Sequence, residues 1–359
     1  MPLTITSVEA TPIALPLTKP IASALGTYTS VPGAAVWVRT SEGMDGFGFN
    51  LGLGGAVSRA VAAYINDELA PLAVGQDALA PEAVWNRMWA PNKARMHGGI
   101  GVWGLSAVDI AVWDIVGKAA GLPVNTLLGG HRQRVPVYGS GGWLSLSDTE
   151  LVAECEAMAA IGIGSYKFKI KTLDHVGRAA LLRRAMGDDF ILLADANQGL
   201  TVAEAIEMSD RLSEYGVAWL EEPMLAEAVD DLAEVTAGSS VPIATGENNY
   251  FSWGFRHLCQ RGVAYLQPDV ARCGGIGEFR KIAGLAESYR VALSSHLWHE
   301  LSISLVGASP SGWAAEYTTV LSPELWTRPF EVVDGHIDVP QVPGHGVELT
   351  AEALERFAL

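Results

Sequence analysis

Apolar and polar positions alternate loosely along residues 3–15, where β-branched side chains are frequent, and again along 34–40 and 46–50. Ser41-Glu42-Gly43-Met44-Asp45-Gly46 separates the last two runs and predicts a hairpin turn, while residues 18–33 predict an irregular stretch. Helical periodicity then marks about 56–73, 79–92 and 101–120. A meander followed by helices reads as an α+β domain over residues 1–125.

After Gly129-Gly130 the pattern changes. Short apolar runs start near Val135, Ser165, Phe190, Val217, Pro242, Val263, Val291 and Trp313, and amphipathic stretches such as 148–161, 174–187, 201–215 and 275–287 separate them. Eight βα repeats of roughly 25 residues predict an α/β fold of the (β/α)8 barrel type over residues 126–325. Residues 326–359 contain Pro329, Pro340 and Pro343, show no strong period, and are expected to fold back over the rest.

Composition narrows the function. An apolar fraction of 49% against 18% charged residues supports a large core. The net charge of −16 disfavours nucleic acid and anionic membrane surfaces as partners. Cys155, Cys259 and Cys273 make neither a disulfide framework nor a zinc motif. The most apolar helix, near 101–120, carries Asp109, Asp114 and Lys118, which argues against a membrane span, and no secretory pattern opens the chain, so a soluble cytoplasmic protein is expected.

The chemistry lies at the ends of the predicted barrel strands. Strand two ends in Lys167-Phe168-Lys169-Ile170-Lys171, and the next six end at Asp195, Glu221, Glu247, Asp269, His296 and Glu316. Lys169, Asp195, Glu221 and Glu247 follow at intervals of 26 residues; Asp269, His296 and Glu316 come 22, 27 and 20 residues later in turn. One such carboxylate is ordinarily a helix N-cap. Seven consecutive strand ends with an ionisable group point to one cavity on the barrel's C-terminal rim.

Asp195, Glu221 and Glu247 are three converging carboxylates that would repel one another without a cation, and an oxygen-only set suits Mg²⁺. Lys167, Lys169 and Lys171 share one strand face; a lysine beside a metal and a second lysine has a lowered pKa, which suits a general base. Asp269 and His296 lie one βα unit apart, as a carboxylate orienting an imidazole would, with His299 a local competitor for that role. Glu316, if buried enough, would be a neutral acid donating to an anion. A base on one wall, a His–Asp pair opposite and a metal between suit proton removal next to a carboxylate.

These motifs, with the helix Gly104-Leu105-Ser106-Ala107-Val108-Asp109-Ile110-Ala111-Val112-Trp113-Asp114, resemble the enolase superfamily and its mandelate racemase-like subgroup (mandelate racemase/muconate lactonizing enzymes) along nearly the whole chain. The resemblance implies an α+β N-terminal capping domain, a modified (β/α)8 TIM-type barrel and a C-terminal segment returning to the cap. It implies Mg²⁺ on Asp195, Glu221 and Glu247, with Glu222 a neighbour rather than a ligand. Gly162 sets the lysine register so that Lys167 and Lys169 form the motif and Lys169 is the base, with Lys171 the alternative. Asp269 and His296 match the second acid/base pair, Glu316 an electrophilic glutamate, and Asn197 a substrate contact. Specificity falls to two capping loops, about 18–30 and 49–56, where Ile21, Tyr28 and Leu51 are the candidate substrate-binding residues.

The implied reaction is Mg²⁺-dependent removal of the proton α to the carboxylate of a 2-hydroxy acid through an enediolate. The reading taken is dehydration of an acid sugar to a 2-keto-3-deoxy acid. The apolar loops favour the alternative, a racemase or epimerase of a less hydroxylated or aromatic 2-hydroxy acid. Cycloisomerization is disfavoured, because muconate-type relatives carry a lysine where this chain has Asp269–His296. A non-catalytic binding protein is the remaining alternative, and a homo-oligomer is expected.

Overall fold

The computed structural model describes residues 2–53 and 57–359. Met1 and residues 54–56, the end of the second expected capping loop, lie outside the described residues. The chain opens with an antiparallel sheet of β1 (Ile5–Ser23), β2 (Gly26–Thr40) and β3 (Asp45–Leu51), in that order. The stretch expected to be irregular is instead the far half of the β1–β2 hairpin, which stays paired up to Ser23 and Gly26. Pro16, Pro20 and Pro32 hide the strand in the sequence, because proline cannot donate to a ladder. The structure accommodates them with a register shift between Pro16 and Ile21.

Helices Ser58–Tyr64 and Ile100–Ala120 pack on this sheet, and Pro81–Trp89 packs on the second of them. Ile100–Ala120 is long and apolar enough to cross a membrane, yet most of it is buried inside the fold. Alternation within Gly46-Phe47-Gly48-Phe49 explains the fit. A Cβ on Gly48 would stand 2.1 Å from the Ala107 carbonyl oxygen, so only glycine lets the helix approach. The intervening phenylalanines face the other way, and Phe49 packs on Trp298 and Trp326 at centroid distances of 5.9 and 5.7 Å.

Eight parallel strands form the barrel among the described residues: β4 (Arg134–Ser140), β5 (Ser165–Lys169), β6 (Ile191–Asp195), β7 (Val217–Glu221), β8 (Ile243–Thr245), β9 (Tyr265–Leu266), β10 (Ala292–Leu293) and β11 (Ala315–Tyr317). They run in chain order, β11 pairs with β4, and a bridge from Leu293 to Gly312 joins the remaining edges. A helix connects each strand to the next. After β11 no barrel helix follows; the chain adds β12 (His336–Asp338) antiparallel to β4 and returns to the cap, where Ala358 bridges Ile13.

Alternation also layers the barrel interior. Leu193 and Trp219 precede Asp195 and Glu221 by two residues and face the same way. Trp219 packs on Tyr138, Tyr265 and Trp313 at 5.3, 4.9 and 5.1 Å, an aromatic floor beneath the charged rim.

Asp114 joins cap, barrel lead-in and C-terminal segment. Its carboxylate accepts from the Phe47 and His345 backbone N–H groups, both at 3.1 Å, and pairs with Lys118 at 2.7 Å. Replacing it leaves buried donors unpaired. Asp114→Ala should lower stability by about 2–4 kcal/mol in chemical denaturation, while Glu234→Ala on the exposed face of the helix Val229–Gly238 should change it by less than about 0.5 kcal/mol.

Candidate active site

The strand ends bring eight ionisable groups to one place. Lys167 and Lys169 both lie in β5, which is buried on both faces, whereas Lys171 is beyond the strand and exposed. The geometry therefore gives the site to the first two lysines. Lys169 Nζ contacts Asp195 Oδ2, and Lys167 Nζ contacts Glu221 and lies 2.8 Å from Glu316. Asp195 also accepts from the Asn197 backbone N–H at 2.8 Å, and Gln267 Nε2 donates to Glu221 at 2.7 Å.

On the opposite wall His296 Nδ1 lies 2.8 Å from Asp269, whose other oxygen accepts from the Ala271 N–H. His296 Nε2 faces Glu247 at 3.3 Å. His299, the competitor, begins the helix after β10 and does not line this cavity. Leu297 N–H donates to Glu316 at 2.7 Å. Asn197 and Glu222, just past the ends of β6 and β7, have φ of 41° and 39°; strain of this kind gathers at sites the fold holds rigidly.

The charges balance locally. Burial pushes Lys167 down, but Glu221 and Glu316 outweigh it and hold the ammonium well above its ordinary value. Lys169 is likewise opposed by burial and raised overall by Asp195. Each lysine here rests directly on a carboxylate; the lowered lysine pKa expected beside a metal belongs to the cation-loaded site. Burial alone would raise Glu316; Lys167 and His296 reverse that and hold it well below the usual carboxylate range. It is an ion-paired carboxylate, not the neutral acid expected from burial. Burial raises Asp195 too, but Lys169 and Lys167 bring it below the usual range. Glu221 stays raised by burial and by the negative charges of Asp195 and Glu316.

Asp195, Glu221 and Glu247 each turn a carboxylate oxygen to a common point, with those oxygens within 4.8 Å of one another. Three buried carboxylates converging on one point repel one another, and a hard divalent cation fits this all-oxygen set. Glu222 is turned aside, accepting from Asn248 Nδ2 at 2.9 Å.

The cavity above these groups holds about 160 Å³. Lys169, Asn197, Glu247, His296 and Glu316 line it together with Ser23, Leu25 and Tyr28 from the β1–β2 hairpin. Ile21 and Leu51 do not. Ile21 packs against Trp143 and Val320, and Leu51 belongs to the main core, so their apolar character seats the cap rather than meeting a ligand. Lys167, Asp195, Glu221 and Asp269 are buried and do not line the cavity.

Comparison with known proteins fits this geometry. Residues 5–129 match the mandelate racemase/muconate lactonizing enzyme N-terminal domain, and residues 150–353 the enolase C-terminal domain-like family. The chain belongs to the mandelate racemase/muconate lactonizing enzyme family of the enolase superfamily. It is 34% identical over 330 residues to the 3,6-anhydro-alpha-L-galactonate cycloisomerase of Streptomyces coelicolor, covering 90% of this chain and 91% of that one. It is 33% identical over 337 residues to the arabinonate dehydratase of Saccharolobus solfataricus, covering 90% of each. The crystal structure of a racemase from Streptomyces coelicolor A3(2) with bound magnesium superposes with a TM-score of 0.94 at 31% identity, covering 99% of this chain and all of that one.

Within this enolase-superfamily site, sequence reasoning missed Arg272, Trp143, Trp103 and Asn248, all of which line the cavity. Arg272 Nε lies 3.4 Å from Asp269, and its Nη1 donates to Asn248 Oδ1 at 3.1 Å. Its position three residues past the β9 strand-end acid was the available signal. Lys169 Nζ stands 5.0 Å from the centroid of the Trp143 ring. A cation held by the three carboxylates predicts that Mg²⁺ raises the thermal midpoint of the wild-type protein, and that Glu221→Gln abolishes most of the rise in the same scan.

Proposed function

We propose that this protein is a Mg²⁺-dependent sugar-acid dehydratase that removes the proton α to the substrate carboxylate and expels the β-hydroxyl, giving a 2-keto-3-deoxy acid. The observation that carries the reading is that Lys169 and the Asp269-bound His296 enter one cavity from different walls, with the three-carboxylate cluster alongside. Among the relatives, the arabinonate dehydratase acts on a substrate of this class.

Asp195, Glu221 and Glu247 would hold Mg²⁺, which would supply positive charge to the substrate carboxylate. With Asp195 engaged by the cation, Lys169 would lose the charge partner that holds its proton and, as the neutral amine, would take the α-proton onto Nζ. Lys167 keeps its proton, because Glu221 and Glu316 both lean on it. The contact between Nδ1 and Asp269 sets the imidazole tautomer and leaves Nε2 to act. The imidazolium gives its Nε2 proton to the departing β-hydroxyl, which leaves as water, and the resulting enol tautomerises to the 2-keto acid. Asn197 lines the cavity and is placed to meet a substrate hydroxyl. The hairpin covers the cavity and keeps bulk water away from these transfers.

A second reading draws on the apolar wall of Leu25, Leu53 and Trp143, which offers few partners to hydroxyl groups. On a less hydroxylated acid, His296 would return a proton to the opposite face, giving a racemase or epimerase. Cycloisomerization, disfavoured on sequence, also stays open: the relative 34% identical carries that activity, and it starts from an acid of the same kind.

Product analysis on a panel of sugar acids with Mg²⁺ decides among them. Formation of a 2-keto-3-deoxy acid is expected; a panel yielding only epimers or ring-opened isomers would replace dehydration with the corresponding alternative. Lys169→Ala and His296→Asn should each lower turnover by about 10²–10⁴-fold with the fold intact, and Lys171→Ala should leave it within about twofold. Full turnover in both site variants would overturn the two-wall assignment.

A further inference from the structure

Pro268-Asp269-Val270-Ala271-Arg272-Cys273 leaves β9 as one tight turn. The Asp269 carbonyl oxygen accepts from the Arg272 and Cys273 N–H groups at 2.9 and 2.7 Å, which gives the segment the curl of a helical turn. Residues three apart in such a turn share a face, so the Arg272 side chain returns over the Asp269 carboxylate. Its Nε lies 3.4 Å from Asp269 Oδ2, the same oxygen that meets His296 Nδ1 at 2.8 Å. The other oxygen accepts from the Ala271 N–H at 2.8 Å. Asp269 is fully buried, and among the described residues Arg272 is the one permanent cation in contact with it. Lys167 and Lys169 are engaged elsewhere, on Asp195, Glu221 and Glu316.

The guanidinium also reaches sideways. Its Nη1 donates to Asn248 Oδ1 at 3.1 Å and lies 3.9 Å from Glu247 Oε1. Asn248 Nδ2 in turn donates to both oxygens of Glu222, at 3.0 and 2.9 Å. One planar side chain thus spans from the His–Asp pair to the loop after β8, which carries Glu247 of the three-carboxylate cluster. A guanidinium presents its donors as a rigid fork, so it sets a distance as well as a charge, whereas an ammonium sets only the charge. Lys169 approaches from β5, against Asp195 and the Trp143 ring, and shares none of these contacts.

We infer that Arg272 is a positioning residue for His296: it fixes the Asp269–His296 pair against the Glu247 wall so that Nε2 addresses the leaving group, and it takes no part in proton removal by Lys169. This rests on the dehydratase reading, in which Lys169 removes the α-proton and His296 delivers the second. Loss of Arg272 should then separate the two steps. The α-proton still leaves, but the deprotonated substrate regains a solvent-derived proton more often than it loses its hydroxyl.

The test compares wild-type protein, Arg272→Met and Arg272→Lys with Mg²⁺ in D₂O, on a panel of sugar acids. It reads deuterium gained at the α-carbon of recovered substrate against product formed. Arg272→Met should lose about 10²-fold in product formation, while total α-proton removal, exchange plus product, stays within about threefold. Arg272→Lys should recover part of the product rate, and Mg²⁺ should still raise the thermal midpoint of both variants. Exchange and product falling together would make Arg272 merely structural, and product at the wild-type rate would make it dispensable. A lost Mg²⁺ response would assign it to the cation site. Each of these overturns the inference. A wild type that forms an epimer instead of a keto-deoxy acid overturns the dehydratase reading alone: His296 delivers the proton there too, and epimer formation takes the place of product in the same comparison. A wild type that converts no acid overturns both.

Discussion

The architecture depends on burying five carboxylates and two lysines at the open end of the barrel. Asp195, Glu221, Glu247, Asp269 and Glu316 are all nearly inaccessible, as are Lys167 and Lys169. Charges taken out of water on this scale persist only when paired. Each lysine therefore rests on carboxylates from strands one or two places away in the barrel, and the three oxygens of Asp195, Glu221 and Glu247 converge where further positive charge is wanted. The aromatic floor of Tyr138, Trp219, Tyr265 and Trp313 keeps the region beneath dry, which strengthens every interaction above it.

The cap follows from the same constraint, because a rim of buried charge must be covered. Ala22 O accepts from Leu144 N–H and Val320 O from Thr18 N–H, so the hairpin is seated on the loops after β4 and β11. Asn50 Nδ2 donates to Ala271 O at 2.7 Å, and Trp85 Nε1 donates to Gly274 O at 2.9 Å, fixing the cap to the loop that carries Asp269 and Arg272. The Asp269–His296 pair and the cover over it are thus held by one set of contacts.

Much of this was legible in the chain, and the reason is periodicity. The eight barrel strands start within about two residues of the positions that apolar runs predict, and the repeat of 26 residues carries Lys169, Asp195, Glu221 and Glu247 to one rim. The less legible features depend on contacts between distant segments. The far half of the hairpin is masked by prolines whose bulge becomes evident only once β2 is laid beside β1. Arg272 enters the site through a loop turn rather than a strand end. Ile21 and Leu51 are apolar residues near a loop, and sequence does not distinguish packing under a lid from facing a ligand. The ionisation of Glu316 depends on Lys167 reaching it across the barrel, which no local pattern encodes.

Proton NMR in D₂O, with Mg²⁺ and a panel of sugar acids and mandelate-type acids, tests the central claim most directly. The account predicts that the α-proton signal of at least one acid disappears as turnover proceeds, with a keto-deoxy product that retains no hydrogen from that position. Turnover of an acid without loss of its α-proton, or no exchange with any acid in the panel, would contradict it.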